Sequence, residues 1–195
     1  MADCILYIAA SVDGFIATND GGVSWLEEIA DTGADGSADG EPSDDNGPKD
    51  DGYDVFFATI DCLVMGSTTY EQLLGFGAWP YEDRPTYVLT SRELPLATDA
   101  VELVDDEPAA LVDRLKRQHD HIWLVGGATT AQSLLRANCI DELRLTLAPI
   151  LLGSGISLFG DDGTGTRHAL ELLETTPRET GLVELRYRIG ATGDR

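Results

Sequence analysis

Basic residues are scarce in this sequence, and lysine is the scarcest: Lys49 and Lys116 are the only two lysines among 195 residues. Lysine and arginine together number 13 against 35 aspartates and glutamates, which gives a formal net charge of −22. A surface of this sign repels a phosphate backbone and argues against nucleic-acid binding. Two interpretations stay open, an acidic surface for a partner protein and adaptation to a salty cytoplasm (a halophilic protein), and we favour the second.

Cysteine, histidine and long apolar runs are also sparse. Three cysteines lie far apart without a CxxC pair, which argues against disulfides and zinc. Cys4 and Cys62 lie in apolar runs, so we expect buried thiols. His119 and His121 lie just before an apolar, strand-like run, so we predict no metal site. No apolar run approaches the roughly 20 residues that span a bilayer, and the N-terminus lacks a basic flank, so we expect a cytoplasmic protein.

Short apolar runs alternate with helical segments, a pattern typical of an α/β domain with a mostly parallel sheet. The length of 195 residues fits one domain, 1–195. Strands are predicted at 4–10, 61–65, 86–90, 121–125 and 142–148, and helices at 68–74, 107–117 and 129–138, with Asp106 capping the second helix. Two last runs, 170–175 and 182–189, flank a turn and predict an antiparallel hairpin at one edge of the sheet.

Residues 31–54 interrupt this alternation. The stretch contains nine acidic residues, five glycines and two prolines, but few apolar side chains. Such a segment cannot offset the entropy of ordering by its own burial, so we predict a mobile acidic loop. A solvated insertion and an active-site lid are both compatible with this composition.

Two strand ends are suited to phosphate groups, because ligands of α/β sheets bind beyond the carboxyl ends of the strands. At the first, Gly66 allows a close turn and is followed by the hydroxyl side chains of residues 67–69. At the second, Gly126 and Gly127 allow the backbone to approach a pyrophosphate closely. The third glycine of a GxGxxG fingerprint is missing, which argues against a Rossmann domain.

Two other strand ends are suited to the remaining parts of a dinucleotide. Thr90, Ser91 and Arg92 place hydroxyls beside a guanidinium, which suits the adenosine 2′-phosphate of NADPH. Ala10 is small enough to leave room for a flat nicotinamide ring, and Trp25 can form a wall of a heterocycle pocket.

These four junctions, in this order, resemble the dihydrofolate reductase superfamily, and in particular its branch with the reductase domain of riboflavin biosynthesis (RibD C-terminal-like). The most specific similarity lies in 125–128, 140–145 and 148–155, the last of which resembles the P-LLG-G signature of that branch. The resemblance implies a three-layer α/β fold, a homodimer and NADPH, in preference to NADH, as hydride donor. It also implies a cis peptide between Gly126 and Gly127.

The resemblance also implies roles for individual residues. Those assigned to the cofactor are Ala10, Gly66, Ser67, Thr68, Thr69, Thr90, Ser91, Arg92, Gly126, Gly127, Ala128 and Thr129. Trp25 and Thr146 match residues that border the substrate pocket of folate reductases. Those enzymes also carry a carboxylate shortly after the tryptophan, and any of Glu27, Glu28 and Asp31 could take its role in proton transfer.

Two departures from the riboflavin pattern bear on the substrate. Phe15 stands where that branch carries a lysine, and Val125 where it carries a glutamate. Both changes remove polar groups expected to bind a phosphorylated ribosyl-pyrimidine, so that substrate is disfavoured. We therefore predict an NADPH-dependent reductase of a small pterin- or pyrimidine-like heterocycle. The alternatives are a catalytically silent nucleotide-binding protein and an interaction protein that acts through the acidic loop.

Salt adaptation predicts that the thermal unfolding temperature rises as KCl increases from about 0.1 M towards several molar, because the screening length falls from about 10 Å to about 3 Å or less. Self-repulsion among the acidic groups then weakens. Differential scanning calorimetry over a KCl series measures this, and a flat or falling curve would contradict the interpretation.

Overall fold

The fold is described from a computed structural model that covers residues 2–32, 51–81, 83–160 and 167–190. In chain order the elements are β1 (Asp3–Ser11), β2 (Phe15–Ala17), α1 (Ser24–Thr32), α2 (Asp51–Thr59), β3 (Cys62–Gly66), α3 (Ser67–Gly75), β4 (Thr86–Leu89), β5 (Val101–Val104), α4 (Pro108–Leu115), β6 (His121–Gly126), α5 (Ala128–Arg136), β7 (Glu142–Ala148), β8 (Ile156–Ser157), β9 (Leu170–Pro177) and β10 (Val183–Ile189). None of the described helices is long and apolar enough to cross a membrane.

Eight strands form one sheet in the order β5-β4-β3-β6-β1-β7-β10-β9. The first six run parallel, and β10 and β9 are antiparallel to their neighbours. The predicted mostly parallel sheet with an antiparallel C-terminal hairpin at its edge is therefore confirmed. Strands covered on both faces carry nearly continuous apolar sequence, as the buried run of β3 shows.

Helices cover both faces of the sheet, which gives the predicted three layers. On one face α4 and α5 contribute Leu111, Leu115 and Leu134 to a core with β1, β3 and β6. On the other face, α2 and α3 bury Phe56 and Tyr70. Cys4, Cys62 and Cys139 are buried free thiols, which confirms the prediction for the first two. Burial raises the pKa of the Cys62 thiol to about 12.

The prediction of a loop over residues 31–54 is wrong at both of its ends, because α1 ends at Thr32 and α2 begins at Asp51. Residues 33–50 lie outside the described part of the structure. Helix α2 packs its aromatic side chains around Trp123 on β6: the Phe56 ring centroid lies 5.4 Å from the indole and that of Tyr53 lies 5.9 Å away. This tertiary packing stabilises a helix whose first turn is acidic and glycine-containing.

The predicted cap of α4 is also wrong by one residue. Glu107, and not Asp106, caps the helix: its carboxylate accepts a hydrogen bond from the backbone N–H of Ala110 at 3.1 Å. Pro108 follows as the first helical residue, which fixes the start of the helix there. Asp106 pairs instead with Arg114 at 2.8 Å.

A second, two-stranded sheet joins β2 to β8, near the end of the chain segment that carries the P-LLG-G signature. Gly155 precedes β8 and lies so close to β2 that a Cβ atom there would overlap the backbone carbonyl oxygen of Ala17. The second glycine of the signature is therefore required for this pairing. Neither strand was predicted, since two or three residues are too few to show a period.

We expect Gly155→Ala to destabilise the protein by about 1–3 kcal/mol, the usual cost of overpacking, because the clash is with backbone atoms that cannot rotate away. Urea unfolding in high salt measures the change. Gly75→Ala is the matched control: nothing lies within 4 Å of its added Cβ, so stability should stay within about 0.5 kcal/mol. Equal stabilities for the two variants would contradict the packing argument.

Candidate functional site

A cavity of about 530 Å³ opens at the carboxyl ends of the parallel strands, where β1, β3, β4 and β6 end. Most of its lining is apolar and comes from the strands and from the chain after β2. The hydroxyl and amide side chains in the lining are those of Ser67, Thr68, Thr69, Gln72, Thr129 and Thr130. None of the described residues that line the cavity carries a charge.

Two helices begin at this cavity. Gly66 is the N-cap residue of α3 and Gly127 that of α5, and in neither case does a side chain cap the helix. The first N–H groups of a helix have no partner within the helix, and its N-terminus carries a partial positive charge. Two uncapped N-termini that face one cavity make a site suited to an anion with several phosphate oxygens.

The two N-cap residues approach each other so closely that side chains are excluded. A Cβ atom at Gly66 would lie 2.8 Å from the hydroxyl oxygen of Thr130. A Cβ atom at Gly127 would lie 3.3 Å from the hydroxyl oxygen of Thr69, and Gly127 also has a φ of +93°. Both positions therefore favour glycine on steric grounds, and Gly127 on conformational grounds as well.

The predicted cis peptide between Gly126 and Gly127 is wrong for this structure, in which the described peptide bonds are all trans. Positive φ angles of 143° at Gly126 and 93° at Gly127 turn the chain from β6 into α5. Glycine adopts these angles without steric cost, so the turn does not require a cis bond.

An ion pair lies at the β4 side of the site. The guanidinium of Arg92 binds the carboxylate of Glu71 on α3 through two hydrogen bonds, Nη1–Oε1 at 3.2 Å and Nη2–Oε2 at 2.6 Å. The hydrogen bond to Glu71 raises the pKa of Arg92 further above its usual value. Both side chains are about half exposed, and the backbone N–H of Arg92 donates to the Thr90 hydroxyl at 3.0 Å.

The family model of the RibD C-terminal domain matches residues 3–183. The chain belongs to this family. The uncharacterized protein YwjB of Bacillus subtilis is 34% identical over 157 residues, which cover 80% of this chain and 81% of that protein.

Solved structures agree with this assignment. The crystal structure of a putative riboflavin biosynthesis protein from Shewanella sp. PV-4 is similar at a TM-score of 0.77 and 26% identity, with 98% of this chain and 100% of that chain covered. Dihydrofolate reductase from Enterococcus faecalis, complexed with NADP(H), is similar at a TM-score of 0.58 and 19% identity, with 97% of each chain covered. The second similarity shows the fold alone, and this confirms a dihydrofolate-reductase-like fold of the RibD type.

Seven of the twelve residues predicted to bind cofactor line the cavity: Gly66, Ser67, Thr68, Thr69, Gly127, Ala128 and Thr129. Gly126 is buried beside them. Ala10 is buried and does not line the cavity, whereas the preceding residues Ile8 and Ala9 do. Thr90, Ser91 and Arg92 follow Leu89, which lines the cavity at the end of β4.

The residues predicted for catalysis lie less close together than those predicted to bind the cofactor. Trp25 is buried next to Leu26, which lines the cavity, and its indole N–H has no hydrogen-bond partner among the described residues. Thr146 is half-buried on β7, paired in register with Ala9 of β1. Glu28 is exposed on α1. The side chains of Glu27 and Asp31 lie outside the described part of the structure.

Gln72 belongs to the site and was not predicted from the sequence. Its side chain lines the cavity, and its Nε2 donates a hydrogen bond to the carbonyl oxygen of Gly21 at 2.6 Å. This contact joins α3 to the turn that follows β2. The spacing in the sequence could have indicated this residue. Gln72 lies three residues after Thr69, and residues at i and i+3 share one face of a helix.

Asp13, in the turn between β1 and β2, was missed as well, as a residue that joins distant segments of the chain. Its carboxylate accepts hydrogen bonds from the Ser11 hydroxyl at 2.5 Å and from the backbone N–H groups of Gly153 at 2.7 Å and Leu152 at 3.2 Å. The hydrogen bond from Ser11, followed by those from the two backbone groups, holds the pKa of Asp13 below its usual value. Asp13 thus ties the turn after β1 to the signature segment that leads into β8.

We expect Asp13→Ala to speed amide hydrogen exchange at Leu152 and Gly153, since both N–H groups lose their acceptor. The pKa of this carboxyl is lowered on folding, so its contribution to stability is present above the usual value of 3.8 and is lost as the pH falls through the lowered value. Exchange followed by mass spectrometry at neutral pH measures the effect. Asp105→Ala, at an exposed aspartate, is the control, and equal exchange in both variants would contradict this role.

Proposed function

We propose that this protein is an NADPH-dependent reductase that transfers a hydride to a small pterin- or pyrimidine-like heterocycle. The observation that carries the proposal is the convergence of two uncapped helix N-termini on one cavity, at the glycines Gly66 and Gly127. Membership of the RibD C-terminal domain family supports the reductase assignment. The cofactor is proposed from the chemistry of the strand ends.

The phosphates of the cofactor would be held by backbone N–H groups and hydroxyls. The N-terminal residues of α3 and α5 supply both kinds of donor: Ser67, Thr68 and Thr129 line the cavity within the first turns of these helices. Each helix terminus contributes about 0.3–1 kcal/mol to the binding of a nearby anion. The protein has a net charge of −22, but no carboxylate lines the described part of the cavity, so no carboxylate there would repel the phosphates at short range.

The nicotinamide ring would lie at the end of β1. Ile8, Ala9 and Val125 offer an apolar surface there, and Ile16 and Ala17 of β2 close it from the side. NADPH, when bound, supplies the hydride. These apolar side chains would exclude water from the reacting carbon and orient the ring face towards the substrate.

The substrate would lie beyond the nicotinamide, between Trp25 and Thr146. The buried Trp25 indole N–H, which lacks a partner among the described residues, could donate a hydrogen bond to a polar atom of the heterocycle or to a water. For the proton, Glu27, Glu28 and Asp31 stay predictions, and water is the other candidate. The homodimer and the cytoplasmic location also stay predictions.

Titration of the protein with NADPH in high salt, followed by tryptophan fluorescence, tests the cofactor site. We expect binding that Gly127→Val abolishes, because its side chain would enter the space between α3 and α5. Arg92→Ala should weaken NADPH binding by about tenfold, the usual effect of losing one charge-assisted contact. The controls are Gly75→Ala and Arg188→Ala, which change a glycine and an exposed arginine that do not line the cavity.

The outcomes separate the candidate functions. Binding followed by oxidation of NADPH with a pterin or pyrimidine substrate supports the reductase. Binding without turnover on any such heterocycle would favour the silent nucleotide-binding protein. A folded wild-type protein that binds neither NADPH nor NADH would overturn the proposal.

A further inference from the structure

Arg92, the predicted ligand of a 2′-phosphate, is already engaged by a carboxylate. Both terminal nitrogens of its guanidinium donate to the two oxygens of Glu71, at 3.2 Å and 2.6 Å. A guanidinium offers this planar pair of N–H groups equally to a carboxylate or to a phosphate. Glu71 therefore occupies one bidentate edge of Arg92 to which a phosphate could otherwise bind.

The ion pair lies where the adenosine end of the proposed cofactor would reach. Glu71 lies one helical turn beyond Ser67, the first residue of α3, which lines the cavity. Arg92 lies three residues beyond Leu89, the last residue of β4 and also part of the lining. Strands β6, β3 and β4 are neighbours in the sheet. Since adjacent strands lie about 4.8 Å apart, the distance from the end of β6 to the end of β4 is about 10 Å.

A carboxylate at this position would interact differently with NADH and with NADPH. The ribose of NADH carries a 2′-hydroxyl, which can donate a hydrogen bond to a carboxylate oxygen. The 2′-phosphate of NADPH is repelled by that carboxylate and must compete with it for Arg92. The Arg92–Glu71 ion pair therefore favours the 2′-hydroxyl of NADH. Arg92 released from Glu71 favours the 2′-phosphate of NADPH.

We propose that Glu71 is a specificity-determining residue that reduces the preference for NADPH over NADH by occupying the guanidinium of Arg92. The inference rests on the proposed function, since it concerns the same cofactor. It adds a residue whose role is to restrain Arg92, so that selection depends on the competition between one carboxylate and one phosphate.

Glu71→Gln tests the competition, because glutamine keeps the shape of the side chain and removes its charge. We expect it to tighten NADPH binding by about three- to tenfold and to leave NADH binding unchanged or weaker, in line with an exposed but bidentate ion pair. The gain for NADPH should shrink as KCl increases, because exposed charges are screened. Dissociation constants from fluorescence titration provide the readout, so turnover is not needed.

A double-mutant cycle separates release of Arg92 from a general change of charge. In the Arg92→Ala background, the gain in NADPH affinity from Glu71→Gln should be clearly smaller than in the wild-type background, because only the direct repulsion by the carboxylate is then removed. Glu93→Gln is the matched control: it removes the same charge beside Arg92 in sequence, but Glu93 forms no hydrogen bond or ion pair with the described residues. We expect no change in the ratio of the two affinities for this variant.

The results distinguish failure of the inference from failure of the proposed function. If both nucleotides bind but Glu71→Gln leaves their ratio unchanged, the inference is overturned and the cofactor site stands. If the gain is equally large in the Arg92→Ala background, or Glu93→Gln reproduces it, Glu71 acts through repulsion alone and the inference is again overturned. If wild type and Glu71→Gln bind neither nucleotide, the proposed function is overturned and this inference with it.

Discussion

The backbone segments that end β3 and β6 come together at Gly66 and Gly127, and the site depends on this approach. A Cβ atom on either glycine would crowd a threonine hydroxyl of the neighbouring segment, at 2.8 Å for Gly66 and 3.3 Å for Gly127. The absence of side chains lets α3 and α5 begin next to each other at the edge of the same cavity. Their uncapped N-termini then combine two partial positive charges in a site whose described lining contains no ionised group.

This arrangement reconciles an acidic protein with an anionic ligand. At a net charge of −22, general electrostatics would disfavour a dinucleotide, and screening by salt would relieve only the long-range part of that repulsion. Backbone dipoles act over the first turn of a helix, so they stay effective where the phosphates would be held. The charged groups stand outside the lining, where Arg92 and Glu71 pair with each other. Affinity for the phosphates and choice between the cofactors would thus depend on different atoms.

Most of the architecture followed from local pattern. Strands β1, β3, β4, β6 and β7 were predicted within one residue of their observed ends, because strands buried on both faces carry continuous apolar sequence. Three short strands and two helices were missed. Strands β2, β5 and β8 have four residues or fewer, and helices α1 and α2 adjoin the acidic segment between them. Helix α2 is acidic at its start and is held by aromatic packing against Trp123 of β6. The cap of α4 shows the limit of local reasoning: Asp106 and Glu107 are adjacent acids, and only Glu107 accepts from Ala110 while Asp106 pairs with Arg114.

The sequence by itself determined the fold class, the edge of the sheet at which the site lies and most of its glycine and hydroxyl residues. These properties follow from periodicity and from the rule that ligands bind at the carboxyl ends of parallel strands. The tertiary structure alone decided which side chains meet. Asp13 binds the backbone of Gly153, 140 residues away, and Arg92 pairs with Glu71, 21 residues away on another element. Contacts of this kind depend on how the strands and helices are placed in space, and neither residue type nor local spacing specifies that placement.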